Sequence, residues 1–230
     1  MDFQNIKCEV VKEDFLQFDL SFKIIVIGDT SVGKSCLTMK ATKDYFENYY
    51  SPTVGFEFYK FNVKIEDQNI RLQIWDTCGQ EEYRSLIQNF YRNSSLAILV
   101  YSIDNEKSFE NLEIWLNEIK LKGNPDVKIF LIGNKTDLED IREVPTEKGE
   151  QFFKANKLNL FLETSAKTGK NVEDVFTNAA KILYREHMNY KDRISRPDSF
   201  IKLPNLVNEN QEIIENEEED GEKPRKKGCC

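Results

Sequence analysis

The feature that most constrains the fold is an apolar run that stops at a glycine and leads directly into a glycine-bounded loop. Residues 22–27 (FKIIVI) have the length and β-branched content of a buried strand, and Gly28 ends the run. Residues 28–35 then read GDTSVGKS, the spacing G-x-x-x-x-G-K-[ST]. Further apolar runs alternate with helical patterns along the chain, which predicts an α/β protein with a mostly parallel sheet.

The chemistry of this loop indicates a phosphate ligand. Backbone N–H groups in such a turn point inward and, with the dipole of the following helix, can hold phosphates. Lys34 adds a positive charge for the outer phosphates, and the Ser35 hydroxyl can bind Mg²⁺. The expected phosphate-contacting residues are Gly28, Asp29, Thr30, Ser31, Val32, Gly33, Lys34, Ser35 and Cys36.

A second motif indicates which base a bound nucleotide would carry. The residues NKTD follow the apolar run 127–133, at the carboxyl end of a predicted strand, where ligands bind open α/β sheets. Asp137 can accept hydrogen bonds from the N1–H and 2-amino group of guanine, and adenine offers neither donor. Alone, the motif would equally suit a polar turn. Combined with the phosphate loop, it predicts GTP binding, with Asn134, Lys135 and Asp137 at the base.

A third motif, DTCGQ, follows a strand that ends at Trp75. Asp76 is expected to hold Mg²⁺ through its water shell, opposite Ser35; the alternative is a simple carboxylate at a strand end. Gly79 can bring its N–H close to a γ-phosphate, and Gln80 can orient an attacking water.

From about residue 22 to residue 187, these motifs resemble small GTPases of the Ras superfamily and, more narrowly, Rab proteins. The resemblance implies the P-loop small GTPase fold, with a six-stranded, mostly parallel sheet and helices on both faces. It also implies that Thr53 binds Mg²⁺ and senses the γ-phosphate, that Phe46 packs on guanine and that Tyr50 closes over the phosphates. The segment ETSAK would complete the guanine pocket with Ser165, Ala166 and Lys167.

The same resemblance implies a switch that slowly hydrolyses GTP to GDP and phosphate, with Gln80 and Lys34 as catalytic residues. Because no arginine in the chain is an obvious candidate to complete the site, a GTPase-activating protein is implied, together with an exchange factor, effectors, a Rab escort protein and a GDP-dissociation inhibitor. Phe58, Trp75 and Phe90 match an effector-facing aromatic triad, for which the alternative is ordinary core packing.

Two departures from the Rab pattern leave alternatives open. Cys78 stands where alanine is usual, and Glu82 stands where arginine is common. Either could favour a GTP-binding interaction module with little hydrolysis. A nucleotide kinase is a third reading, which the NKTD and ETSAK segments disfavour. Within the Rabs, the resemblance favours Golgi or ER–Golgi traffic, with an endosomal role as the alternative, on the cytoplasmic face of membranes and cycling with the cytosol.

Composition and the two ends complete the expectations. The formal net charge of −8 argues against nucleic-acid binding. Residues 1–20 are expected to be an N-terminal extension without a signal peptide, 21–188 the GTPase domain and 189–230 a flexible tail, acidic over 209–222. The other cysteines show no disulfide or zinc spacing, which suits a cytosolic protein.

The chain ends in a cysteine pair that follows a short basic cluster at 223–227. This pair departs from the C-a-a-X box and matches the Rab pattern in which both thiols, Cys229 and Cys230, are geranylgeranylated. Two lipid chains hold a membrane firmly where one is marginal, because each buried CH₂ contributes about 0.8 kcal/mol. The alternative is a chance pair of cysteines.

The predicted strands lie near 22–28, 56–65, 70–76, 96–102, 127–133 and 158–163, the second of them antiparallel by family resemblance. The predicted helices lie near 34–43, 82–92, 106–121, 146–156 and 171–187.

Overall fold

The structure is a computed structural model that describes residues 6–14, 17–47, 53, 55–79 and 90–194. Its strands are β1 (Cys8–Val11), β2 (Leu20–Ile27), β3 (Phe56–Ile65), β4 (Gln68–Thr77), β5 (Leu96–Ser102), β6 (Lys128–Asn134) and β7 (Leu160–Glu163). Its α-helices are α1 (Lys34–Lys43), α2 (Glu106–Glu110), α3 (Leu112–Lys122), α4 (Thr146–Ala155) and α5 (Val172–Ile194), and a 3₁₀ helix spans Thr136–Ile141.

Within the described residues these strands form one sheet in the order β1-β3-β4-β2-β5-β6-β7. Strands β4, β2, β5, β6 and β7 run parallel, whereas β3 is antiparallel to β4 and to β1. The α/β class, the mostly parallel sheet and the antiparallel strand at 56–65 are therefore confirmed. The predicted count of six strands is wrong, because the sheet has seven.

The additional strand, β1, lies inside the predicted N-terminal extension. Cys8 pairs with Ile65 and Val11 with Asn62, so β1 covers the last four residues of β3 along its outer edge. Asp14 then forms an ion pair with Arg71, whose side chain is only 10% exposed. The four residues CEVV are too few to predict a strand from their pattern alone. Strand β1 is stabilised by pairing with the existing edge strand β3.

Alternation along β2 explains why helices cover both faces of the sheet. Ile24 and Val26 belong to a core shared with α1 and α5, whereas Ile25 and Ile27 belong to a second core shared with α3. Because successive strand side chains point to opposite faces, the continuous apolar run 24–27 must be covered on both sides.

Helix boundaries differ from prediction in two places. The expected helix at 106–121 is two helices separated at Asn111, which is the N-cap residue of α3. The last helix runs on from 187 to Ile194 with an amphipathic pattern, past the predicted domain boundary at 188. The predicted helix at 82–92 lies largely outside the described residues, and only its end, Phe90 and Tyr91, is seen to be helical. In the described part of the chain, no helix has the length and apolar character to cross a membrane.

Candidate nucleotide-binding site

A cleft of about 400 Å³ lies at the carboxyl ends of the parallel strands. Its walls come from the loop after β2, the start of α1, the end of β4 and the loops after β6 and β7. The predicted site residues that line it are Thr30, Ser31, Gly33, Lys34, Ser35, Cys36, Phe46, Thr53, Gly79, Asn134, Lys135, Asp137, Ala166 and Lys167. Three motifs that are far apart in sequence thus share one cleft.

Two positions of the loop between β2 and α1 require glycine, because a side chain there would collide with neighbouring atoms. Gly33 has φ +91°, a left-handed value that favours glycine, and a Cβ there would lie 2.4 Å from the side-chain nitrogen of Asn134. A Cβ on Gly28 would lie 2.1 Å from the carbonyl oxygen of Val100 on β5. The second glycine is therefore required by a turn, and the first by close packing of the loop on the neighbouring strand.

Lys34 folds back over this loop. Its Nζ donates to the carbonyl oxygens of Gly28 at 2.9 Å and Asp29 at 2.7 Å. The side chain is buried, and burial lowers the pKa of Lys34 to about 8, although Asp76 and Asp29 act in the opposite direction. A buried ammonium at the mouth of a helix is well placed to interact with an anionic ligand.

Three oxygen-bearing side chains meet beside Lys34. Ser35 Oγ donates to Asp76 Oδ2 at 2.5 Å and lies 2.8 Å from Thr53 Oγ1. Asp76 is fully buried, and this desolvation raises the pKa of its carboxyl group to about 6, although Ser35 and Lys34 lower it. Its Oδ1 has no hydrogen-bond partner in the described part of the chain. Two hydroxyls and a carboxylate with a spare oxygen suit Mg²⁺, which prefers hard oxygen ligands and keeps several waters.

Asn134, at the end of β6, ties three loops together and is fully buried. Its Nδ2 donates to the carbonyl oxygen of Val32 in the phosphate loop at 3.0 Å. Its Oδ1 accepts from Thr164 Oγ1 at 3.1 Å and from the backbone N–H of Ala166 at 3.3 Å. Asn134 therefore sets the position of the base-side loops relative to the phosphate loop.

The base side of the cleft presents a held carboxylate and an aromatic ring. Asp137 Oδ1 accepts from Ser165 Oγ at 2.6 Å, and Lys167 Nζ lies 4.0 Å from Asp137 Oδ2. Lys135, in a left-handed conformation, places its Nζ 3.5 Å from Asp104 Oδ1. The half-buried ring of Phe46 lines the same cleft. This arrangement provides an acceptor and an apolar wall for a planar base with two donors.

A cluster of aromatic rings joins β3 and β4 to the helical end before β5; we call it the aromatic surface and define it as Phe56, Phe58, Trp75 and Phe90. The ring of Trp75 is 5.2 Å from that of Phe58, 5.0 Å from that of Phe90 and 5.3 Å from that of Phe56. Phe56 and Phe58 are 48% and 43% exposed, and the other two are half-buried. Phe90 also packs against the core that β5 shares with α3, so at this ring the aromatic surface is continuous with the core.

The remaining predicted residues divide into two groups. Gly28, Asp29, Val32, Asp76 and Ser165 stand behind the cleft wall rather than on it, and contribute through their backbones or hydrogen bonds. Gln80, Tyr50, Cys229 and Cys230 lie outside the described residues.

Sequence reasoning missed four lining residues and two supporting ones. Glu47, Thr77, Cys78 and Leu138 also line the cleft. All four adjoin predicted site residues, so adjacency alone could have suggested them. The other two, Asn111 and Trp115, bind Asp29 from helix α3, and no local signal in the sequence indicates this contact.

The fold and the cleft define a P-loop protein with the features of a guanine-nucleotide site. Comparison with protein-family models matches residues 23–185, more than half of the chain, to the Ras family. The chain therefore belongs to the Ras family of small GTPases, which bind guanine nucleotide with Mg²⁺ and act as GTP/GDP switches. Members of this family generally interact with exchange factors, activating proteins and effectors.

Proposed function

We propose that this chain is a Rab-type GTPase that regulates vesicle traffic by recruiting effectors to the cytoplasmic face of intracellular membranes. The observation that carries the proposal is the half-exposed aromatic surface beside the Mg²⁺-type oxygen cluster, which it meets at Trp75 and Asp76 on β4. Aromatic side chains of this size are frequent anchors at protein interfaces.

The two features share a short stretch of backbone. Trp75 directly precedes the buried Asp76 on β4, and Phe58 pairs with Trp75 across the strands. On β3, Phe56 pairs with Thr77 and lies three residues after Thr53. A change in how Thr53 and Asp76 engage Mg²⁺ and the γ-phosphate would therefore be transmitted directly to the rings. This supports a surface whose presentation depends on the bound nucleotide.

The residues of the cleft suit hydrolysis as well as binding. Ser35, Thr53 and Asp76 would hold Mg²⁺, which neutralises phosphate charge when bound. Lys34 would stabilise charge on the outer phosphate oxygens, and Gln80 would orient the attacking water. The backbone of Gly79 lies against the phosphate loop, since a Cβ there would be 2.3 Å from the backbone nitrogen of Thr30. Intrinsic turnover is slow on this proposal, and an activating protein supplies the missing arginine.

The basic cluster at 223–227 and the terminal cysteines support a membrane role. Geranylgeranyl groups on Cys229 and Cys230 would anchor the chain, and the basic cluster would add attraction to anionic lipids. An escort protein would present the chain for lipid transfer, and a GDP-dissociation inhibitor would return it to the cytosol. Golgi or ER–Golgi membranes are the preferred address, and endosomes are the alternative.

Single-turnover hydrolysis tests the catalytic part of the proposal. The wild type, Gln80→Leu and the control Gln151→Leu, an exposed glutamine on α4, would be loaded with GTP and Mg²⁺. We expect slow phosphate release in the wild type and the control, at least about tenfold slower release in Gln80→Leu, and no cleavage of ATP. Tight GTP binding with equal rates in all three proteins would instead favour the interaction module, with Cys78 as the residue to revert to alanine.

Lipid transfer tests the Rab part. The full chain would be incubated with purified geranylgeranyl transferase, with and without a Rab escort protein. The mass of the product would then be measured by mass spectrometry. We expect two lipid groups on the wild type only when the escort is present, one group on Cys229→Ser or Cys230→Ser, and two on the control Cys8→Ser. Lipid transfer that ignores the escort would contradict the Rab assignment and leave the GTPase assignment standing.

A further inference from the structure

The carboxylate of Asp29, the second residue of the phosphate loop, points away from the cleft and into helix α3. Its Oδ1 accepts from the indole Nε1–H of Trp115 at 2.7 Å, and its Oδ2 accepts from Asn111 Nδ2 at 2.6 Å. These partners are 86 and 82 residues away in sequence. Both carboxylate oxygens are thus engaged by one helix on the far side of the loop.

The same residue is held by its backbone from two other directions. Lys34 Nζ donates to the Asp29 carbonyl oxygen at 2.7 Å. A Cβ on Gly79 would lie 2.3 Å from the Asp29 carbonyl carbon and 2.5 Å from its oxygen. Helix α3, the phosphate-loop lysine and the turn at Gly79 after β4 therefore all contact Asp29.

This arrangement keeps the negative charge of Asp29 away from the phosphate side of the loop. A carboxylate in a loop that binds phosphates would repel them if it faced the ligand. Asn111 and Trp115 turn it outward, toward the first turn of α3, where the helix dipole and two N–H donors stabilise negative charge. Trp115 is fully buried in the core under the loop, so its indole is a rigid donor.

We propose that Asn111 and Trp115 are positioning residues for the phosphate loop: by binding both oxygens of Asp29, they keep its charge away from the phosphates and hold the loop in its nucleotide-retaining conformation. The break between α2 and α3 at Asn111 places this side chain beside the loop. The inference rests on the guanine-nucleotide function of the cleft.

The test is the rate of GDP release from the full chain with Mg²⁺, followed with a fluorescent GDP analogue. Trp115→Phe keeps an aromatic ring in the core but removes the N–H donor together with part of the ring volume, and Asn111→Ala removes the second donor from a half-buried helix cap. Each is expected to release GDP roughly tenfold faster, the factor for losing one hydrogen bond to a charged group. Tyr184→Phe is the matched control, because it removes an aromatic hydrogen bond to the Glu66 carboxylate away from the cleft.

A double-mutant cycle separates positioning from general destabilisation. In an Asp29→Ala background, Trp115→Phe should cause no further acceleration, because the group that it holds is gone. The inference is overturned if both variants release GDP at the wild-type rate, or if Trp115→Phe accelerates release equally with and without Asp29. A wild-type chain that fails to retain GDP at all would refute the nucleotide function itself, which is a different outcome.

Discussion

Asn134 offers the sharpest quantitative test of how the cleft is assembled. Asn134→Ala would leave the Val32 carbonyl, the Thr164 hydroxyl and the Ala166 N–H without this partner in a buried setting. A buried polar group that loses its partner costs about 1–3 kcal/mol, and some relaxation is expected, so we predict a loss of about 3 kcal/mol in the free energy of unfolding. Against a typical total of about 5–15 kcal/mol, the variant should still fold.

Asn134→Asp separates the contributions. An ionised aspartate can still accept from Thr164 and Ala166, but it replaces the donor to Val32 with a carboxylate oxygen that faces a carbonyl. If the link to the phosphate loop holds the nucleotide, both variants should release GDP at least about tenfold faster than the wild type, a change of about 1.4 kcal/mol.

The assays are urea unfolding at fixed GDP and Mg²⁺, and GDP release by stopped-flow fluorescence. Asn62→Ala is the control. Asn62, on strand β3, is also buried; its side chain accepts a hydrogen bond from Arg71 and donates one to the carbonyl oxygen of Glu13. The control should lose stability without faster release. Wild-type release from Asn134→Asp would refute the structural argument, because the bond to Val32 would then have no role in retention.

Three further predictions follow from particular contacts. Gly79→Ala forces a Cβ within 2.3 Å of the Thr30 backbone nitrogen, so it should slow single-turnover hydrolysis at least about tenfold; an unchanged rate would mean that this approach is not needed. Arg142→Lys loses the paired hydrogen bonds to Glu163, at 2.7 and 3.0 Å. It should reduce the free energy of unfolding, measured by urea titration, by about 1–3 kcal/mol. An unchanged urea midpoint would show that a lysine at this position is sufficient. Burial raises the pKa of the Cys8 thiol to about 11, so little of it is thiolate at pH 8. Iodoacetamide should therefore modify Cys8 at least about tenfold more slowly than a free cysteine, as measured by peptide mass spectrometry. Rapid labelling would indicate that β1 does not pair with β3.

The parts of this molecule that sequence predicted are those with a local physical signal. The strand at 56–65 and the helix at 34–43 match their observed bounds, because apolar runs and the glycine loop mark them directly. The nucleotide motifs converge on one cleft because parallel strands end at one edge of the sheet.

The parts that sequence missed depend on distant partners. Strand β1 exists through its pairing with residues 62–65, more than fifty positions away, and its own four residues carry little pattern. The contacts of Asp29 with Asn111 and Trp115 likewise arise only when helix α3 packs under the loop. Tertiary pairing of this kind leaves no periodicity in the segment that it orders.

The most direct measurement of the central claim uses the two tryptophans of the chain, Trp75 in the aromatic surface and Trp115 in the core. The full chain would be labelled with 5-fluorotryptophan and its ¹⁹F spectrum recorded with GDP and with a non-hydrolysable GTP analogue, the two signals being assigned with Trp75→Phe. If the surface responds to nucleotide, the Trp75 signal should differ between the two states, and an ATP analogue should produce neither spectrum. A Trp75 signal that is identical with GDP and the GTP analogue, both bound, would contradict a switch that acts through this surface.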